Sequence, residues 1–490
     1  MTFPLIDRRS LAACALAVAA AGCATPPPAT PSLTVPLSMH FMNDAGVATA
    51  DRPETDWWRG FGDPVLSALI DRGLEANHDV RSALARVQAA RAGLAAQASR
   101  LAPAVNLQAG VARSSSGLPA AVKQGGEPDV RAFRGALEVS WEIDLAGGAR
   151  AARDAARADA AVAQAGVAGA RLLVAADIAG LYFTLRGAQE RLRIVQALAQ
   201  VQRDTARVVA RRASEGQASA FDAGRAQAEA DTIDAQVPPL QTLLAVTRSR
   251  LAVLLGEDPS TAVDPAGPGY TWPAPRAIGS GQPADLLRRR PDLIAAEMHL
   301  AAESLRSAEA RARTWPTLFV NALVGREDLR IDALALAPVR FANVAAAFAV
   351  PVFNAGRIQA GIEAQGARET EALLAWQKAA LTAVADVESG LAARGDEAHR
   401  GELLETATAA RRRSLRQAQS LYREGQIDLL ALLDVQRSLL GSEMAQAESA
   451  MGRALADVQL FNALGGGWQP SQAMDSATVT PTPKPSGSPT

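Results

Sequence analysis

The chain is written twice, and any fold it adopts has to use the two copies in the same way. Asp79, Ala83, Ala89, Arg100 and Pro103 recur as Asp292, Ala296, Ala302, Arg313 and Pro316, each pair 213 positions apart. Further on, Glu215-Gly216-Gln217 recurs as Glu424-Gly425-Gln426, Gln227 as Gln436 and Leu255-Gly256 as Leu464-Gly465, now 209 apart. The change of spacing places a small insertion or deletion between Pro103 and Gly147. The copies cover 56–256 and 291–468, joined by a Pro/Gly-rich link over 257–290.

Each copy has the same order of elements. A helix (79–100, 292–313) stops before a proline, and two extended runs follow. A very long helix comes next (147–213, 356–423). It ends at the "EGQ" turn, where glycine tolerates the left-handed cap. A last helix (219–255, 428–464) runs to Leu-Gly. The two shorter helices together are about as long as the long one, roughly 90–100 Å at 1.5 Å per residue. End to end beside it, they finish level. The helices are rich in alanine, leucine and charge and carry no 20-residue apolar run, a pattern that suits a coiled coil. Separate helical bundles fit helices of this length poorly.

The extended runs are 104–112, 135–145, 317–325 and 341–353. "LEVSWEIDL" alternates over nine residues: Leu137, Val139, Trp141, Ile143 and Leu145 on one face, Glu138, Ser140, Glu142 and Asp144 on the other. In 104–112, Val105, Leu107, Ala109 and Val111 oppose Asn106 and Gln108; 317–325 alternates less cleanly; 341–353 aligns Val344, Phe348, Val350 and Val352. Runs of about 9–11 residues are long enough to cross a bilayer as tilted strands. A half-buried soluble sheet has the same pattern. In lipid, however, open edges are forbidden and four strands are too few to close, so several chains must each donate four.

Composition removes other classes. A net charge of −1 gives no field for nucleic acid. The two cysteines, Cys14 and Cys23, lie close to the N-terminus, and His40, His78, His299 and His399 are scattered. No metal-ligand spacing, nucleophile elbow or phosphate loop occurs. Met39 and Met42 are a weak hint of copper or silver. The sequence contains no catalytic constellation.

The N-terminus reads as an address. Arg8 and Arg9 precede an apolar run, Leu11–Ala21, then Gly22 and Cys23, the layout of a secretory signal over 1–22. "AAGC" resembles a bacterial lipobox, which implies a diacylglycerol and an N-acyl chain on Cys23. It departs at Ala20, where leucine is usual. "LAAC" at 11–14 fits letter by letter but has almost no apolar run before it. A non-lipidated signal is the alternative. Ala24, rather than Asp, favours sorting to the outer membrane. Residues 23–55 are then a lipidated linker, and the tail 469–490 reads as disordered.

"DWWRGFGDPVLSALIDRGLEANHDVRSALARVQAAR" (56–91), "WEIDLAGGAR", "PVFNAGR", "LLRRRPDLIAAEMHLAAE" and "LYREGQIDLLALLDVQRSLL" together resemble the TolC/NodT-type outer membrane efflux lipoproteins over about 50–468. The resemblance implies an α+β membrane protein with two tandem repeats. In it a homotrimer builds a 12-stranded β-barrel, four strands per chain, and a long coiled-coil helical barrel. It further implies a passive exit duct for drugs, solvents or metal ions, docked on a periplasmic adaptor and an inner-membrane pump of the RND type. The link 257–290 belts the tunnel midway. Adaptor contacts fall on Gly216, Gln217, Gly425 and Gln426, and a periplasmic gate on Tyr422, Arg423 and Asp434. One basic gate position of some relatives is Leu421 here. Tyr422 and Asp434 also read as ordinary coiled-coil surface. On strand 135–145, Leu137, Val139, Trp141 and Ile143 are expected to face lipid, and Glu138, Ser140, Glu142 and Asp144 the lumen. A barrel-less periplasmic coiled-coil lipoprotein and a type I secretion duct remain alternatives.

Overall fold

The computed structural model describes residues 38, 40–43, 56–114, 130–261, 270–274, 278–331 and 334–466. Cys14, Cys23, Met39 and the tail 469–490 lie outside them. The first copy contributes α1 (Pro64–Ala76), α2 (His78–Ser99), β1 (Ala104–Ser114), β2 (Val130–Ile143), α3 (Gly148–Ser214), α4 (Ala220–Asp234) and α5 (Val237–Leu254). The link contributes α6 (Leu286–Arg289), and the second copy α7 (Pro291–Ala312), β3 (Thr317–Ile331), β4 (Leu334–Ala335), β5 (Val339–Ala349), α8 (Arg357–Arg423) and α9 (Leu429–Ala463). Helices α3 and α8 are both 67 residues long, about 100 Å of helix each.

Several boundaries differ from the sequence reading, each for a local reason. The expected helix 219–255 is two helices. The chain turns at Ala235–Gln236 and restarts at Val237 with prolines in the first turn of α5, where a missing N–H costs nothing. Strand 341–353 starts earlier, at Val339, and stops at Ala349, because Pro351 has no N–H to offer a ladder. Strand 135–145 is displaced to Val130–Ile143, and 317–325 runs on to Ile331. The sheet carries four long strands and the two-residue β4 beside the end of β3. Helix α3 does contain an 18-residue stretch apolar enough to cross a membrane by composition, and 44% of that stretch is buried within the protein.

Compactness does not follow the repeats. The chain divides into two units, each drawing on both copies. The described residues of the first are 87–114, 130–163, 296–331 and 334–376. It holds the sheet, antiparallel in the order β1-β2-β3-β5. The β2–β3 ladder, with Leu137 opposite Val324, joins the hairpin of one copy to that of the other. Among the helices of this unit, Leu300, Ala372 and Trp376 form an apolar cluster. Buried Glu303 takes Gln365 Nε2 at 2.5 Å, and Arg306 bridges Glu303 and Asp159 at 2.5 Å each.

The described residues of the second unit are 38, 40–43, 56–86, 164–261, 270–274, 278–295 and 377–466. Trp57 is fully buried and stacks on Phe461 at 5.2 Å between ring centroids. Leu66, Ile70, Leu185 and Leu251 are buried, worth roughly 1.5–3 kcal/mol each. Asp63 caps α1 by accepting the N–H groups of Val65 and Leu66, with Pro64 at the first helical position. Ile194, Val195, Ile233 and Leu440 form a further core among α3, α4 and α9.

Candidate functional site

The sheet sorts its side chains as the alternation requires. Register places Leu107 against Leu137, Val105 against Val139, Val320 against Trp141 and Leu318 against Ile143. Val344 and Phe348 of β5 lie on the same face, opposite Ala322 and Leu318. Toward the helices this face is apolar and uncovered in the single chain, with Leu107 77% and Val344 78% exposed; at its far end it carries Arg131, Arg326, Arg330 and Arg340. The other face is polar at its centre, with Asn106 opposite Glu138 and Ser140 opposite Asn321. Gln108 Nε2 donates to Glu138. It also carries Phe319, Leu323 and Phe341. Arg134 lies over the Phe341 ring at 4.7 Å. A Cβ on Gly325 would come within 2.6 Å of that ring, so glycine is needed where the ring crosses the strand. The two edges, β1 and β5, have no further strand among the described residues.

Asp144 is not a wall residue. It lies past the end of β2 and caps α3, accepting Ala149 N–H at 3.2 Å, Arg150 N–H at 3.0 Å and Arg150 Nε at 3.1 Å. A carboxylate at a helix N-terminus satisfies orphan donors and opposes the dipole. Leu145 likewise lies outside the strand, exposed. Trp141 sits near the helix junction, where its Nε1 donates to Leu101 C=O at 3.2 Å. Val139 and Ile143 are half-buried, Leu137 and Trp141 more exposed.

The two "EGQ" turns are the same turn. In each, glycine takes a left-handed φ, 77° at Gly216 and 72° at Gly425. Gln217 N–H reaches Arg212 C=O at 2.8 Å, and Gln426 N–H reaches Leu421 C=O at 2.8 Å. Gly216 N–H and Gly425 N–H close on Ala213 and Tyr422, both at 3.1 Å. This paired capping satisfies the last carbonyls of α3 and α8. Ser219 and Asp428, also equivalent in the repeat, then cap α4 and α9. A Cβ at Gly216 or Gly425 would meet nothing within 4 Å, so both tips are open surface.

The expected gate residues are near the second turn but are not joined. Tyr422 packs on the cluster of Ala206, Val209, Ala226, Ala230, Leu429 and Leu433. Arg423 turns back on its own helix, Nε to Gln419 C=O at 3.2 Å. Asp434 is exposed, and the charge beside it is Arg437. Arg437 in turn holds Glu229 of α4 with Nε at 3.2 Å and Nη2 at 2.5 Å, and this hydrogen bond keeps its guanidinium pKa above the ordinary value. Buried Gln202 and Gln436 also bond to each other at 2.9 Å. Repeat matching marks Gln436; nothing in the sequence signals that Gln202 meets it.

Three further constellations were not legible. Tyr182 donates to Asp63 Oδ2 at 2.5 Å and accepts Arg186 Nε at 3.1 Å. The Arg186 guanidinium also faces the Tyr270 ring at 4.5 Å. Glu388 binds the backbone N–H groups of Met42 and Asn43. Arg290 bridges Asp292 and Asp386 and donates to Ala463 C=O at 3.2 Å. No group of three or more metal-ligating side chains occurs among the described residues.

An apolar sheet face, open edges and paired long helices define an outer membrane channel protein with the TolC-like fold. The chain matches the family described as "Outer membrane efflux protein" over residues 69–257 and 283–466, and it belongs to that family. It is 29% identical to the pyoverdine export outer membrane protein OpmQ of Pseudomonas putida, over 96% of this chain and 99% of that one. It is 28% identical to nodulation protein T of Rhizobium leguminosarum bv. trifolii, over 92% and 95%. Among solved structures, the outer-membrane channel OprN superposes with a TM-score of 0.80 at 29% identity, covering 90% of this chain and 99% of OprN. The protein is thus an outer membrane efflux channel, the outer membrane component of a tripartite efflux system, in a family of transport ducts rather than of catalysts.

Proposed function

We propose that three copies assemble into one passive exit duct, a homotrimer whose four long strands per chain close a 12-stranded barrel. The observation that carries this is the sheet of one chain. Its apolar face is uncovered and its two edges are unpaired, a surface that neither water nor lipid tolerates. The edges β1 and β5 are antiparallel partners for their counterparts on neighbouring copies, and a ring of such head-to-tail contacts closes. Glu138, Ser140 and Glu142 then line the lumen, and Leu137, Val139, Trp141 and Ile143 face lipid.

Gly216, Gln217, Gly425 and Gln426 offer open tips to a periplasmic adaptor, which joins the duct to an inner-membrane pump of the RND class. Tyr422, Arg423 and Asp434 form the gate only when copies meet, since one chain does not bring them together. The cargo class is small molecules such as drugs, solvents or metal ions. Cys23 carries the diacylglycerol and N-acyl chains that anchor the protein to the outer membrane; Cys23→Ala is expected to lose the acyl mass. Reconstitution into planar bilayers tests the duct itself. Discrete conductance steps are expected, and a purified protein that leaves the bilayer silent contradicts it.

A further inference from the structure

The repeat allows one joint to be compared with its twin. In the second copy, Arg290 precedes α7 and holds two carboxylates, Asp292 at 2.8 Å and Asp386 at 2.9 Å, while its Nη1 also donates to Ala463 C=O, the last residue of α9. The equivalents in the first copy are Asn77, Asp79, Asp177 and Leu254. Asn77 keeps one part of the role, donating Nδ2 to Leu254 C=O at 2.9 Å. An amide carries no charge, and its side chain is too short to bridge the carboxylates as well. Asp79 and Asp177 form no ion pair among the described residues, and both are exposed. Partial burial of its carboxyl against the joint, then the Asp79 charge, raises the Asp177 pKa above its ordinary value. His78 adjoins the pair and Arg250 of α5 stands at the position equivalent to Gln459; neither forms an ion pair with it.

The environment of the twin indicates what is missing. A cavity of about 310 Å³ is lined by Arg290, Pro291, Asp292 and Asp386 and also by Gly169, Leu172 and Leu173 of the other copy's long helix. Shifted by one repeat, those helix residues become Lys378, Leu381 and Thr382 of α8. In a closed ring of repeats, α8 of one chain stands against the first-copy joint of the next as α3 stands against the second-copy joint within a chain. Lys378 is exposed and forms no ion pair among the described residues. Leu381 is 50% exposed where its equivalent Leu172 is half-buried. A covering surface is therefore missing on α8 where α3 has one.

We propose that Lys378 of each copy enters the joint of the neighbouring copy and neutralises Asp79 and Asp177, supplying between chains the cation that Arg290 supplies within one. The pairing rests on the trimeric reading above. It makes the first-copy joint an interface whose charge is balanced only on assembly.

Lys123, Lys378 and Lys484 are the chain's three lysines, so a zero-length carbodiimide cross-link is easy to assign. Trimers are assembled from isotopically heavy and light copies of the full protein, cross-linked in detergent and digested. The expected product joins Lys378 of one label to Asp79 or Asp177 of the other. An intact trimer whose Lys378 links only within one label, or only to other acids, overturns the pairing and leaves the duct standing. Wild-type protein that is not a trimer overturns both. Lys378→Glu is expected to lower the temperature at which the trimer survives detergent, and adding Asp177→Lys to restore part of it. Unchanged trimer survival in Lys378→Glu contradicts the pairing, as does a loss that Asp177→Lys leaves uncorrected.

Discussion

Glu388 holds Asn43 by three hydrogen bonds: Oε2 accepts its backbone N–H at 3.1 Å and its Nδ2 at 2.9 Å, and Nδ2 also reaches the Glu388 C=O at 3.5 Å. The other carboxylate oxygen takes Met42 N–H at 2.6 Å. Phe41, just before, is buried. One side chain of α8 thus fixes a segment that precedes α1. Glu388→Gln keeps the shape but loses the charge and one acceptor. Hydrogen exchange at Met42 and Asn43 is expected to rise about tenfold, for a loss of roughly 1.4 kcal/mol. Unchanged exchange at both amides would show that Phe41 alone holds the segment.

Tyr182 ties α3 to the cap of α1 through Asp63. Tyr182→Phe leaves an oxygen of half-buried Asp63 without its donor and is expected to cost about 1 kcal/mol in denaturant unfolding. Burial, then the hydrogen bond to Asp63, raises the Tyr182 pKa above its ordinary value. A folded-state pKa above the unfolded one means the folded state holds the proton more tightly. This stabilisation is complete below about pH 10 and is lost as pH rises further. The alkaline fall in stability should be shallower in Tyr182→Phe; an identical slope would place the alkaline transition elsewhere.

The sequence made some of this legible and hid the rest for identifiable reasons. The repeat spacing exposes Gly216 and Gly425 as one turn used twice, because a left-handed cap leaves glycine in the chain wherever it occurs. Period-two alternation exposes the faces of β2, down to the opposition of Leu137 and Glu138. It misleads at Asp144, because a helix cap and a strand carboxylate look alike when the strand runs straight into the helix. It is blind to the α4–α5 break, because Val237-Pro238-Pro239 is as acceptable at a helix start as it is fatal inside one. Contacts such as Glu388 with Asn43 join residues 345 apart, and no local pattern records them. The Arg290 joint was within reach, since repeat alignment sets Asn77 against Arg290, but its meaning depends on seeing Asp386 arrive from α8.

At the turn tips, conformation and space separate cleanly. Gly216→Ala and Gly425→Ala meet no atom, so each carries only the cost of a left-handed backbone, about 1–2 kcal/mol. The expected result is a folded channel with slightly lowered thermal stability and weakened adaptor capture. Capture equal to wild type in the double variant would move the docking site away from these tips.

Asp434 is exposed and bound to none of its proposed gate partners within one chain, so removing it should leave the protomer's stability within about 0.5 kcal/mol. Asp434→Ala is nonetheless expected to raise single-channel conductance or vancomycin entry into cells, because the proposed gate pairs Asp434 across neighbouring copies. Permeability identical to wild type would return Asp434 to the ordinary surface of α9.

In the proposed assembly, an uncovered apolar sheet with two unpaired edges is completed by two further copies. Native mass spectrometry of the full-length protein extracted in mild detergent measures this directly. One dominant species of three chains that dissociates only on unfolding is expected. A folded, stable monomer, with its strands protected from hydrogen exchange, would contradict it.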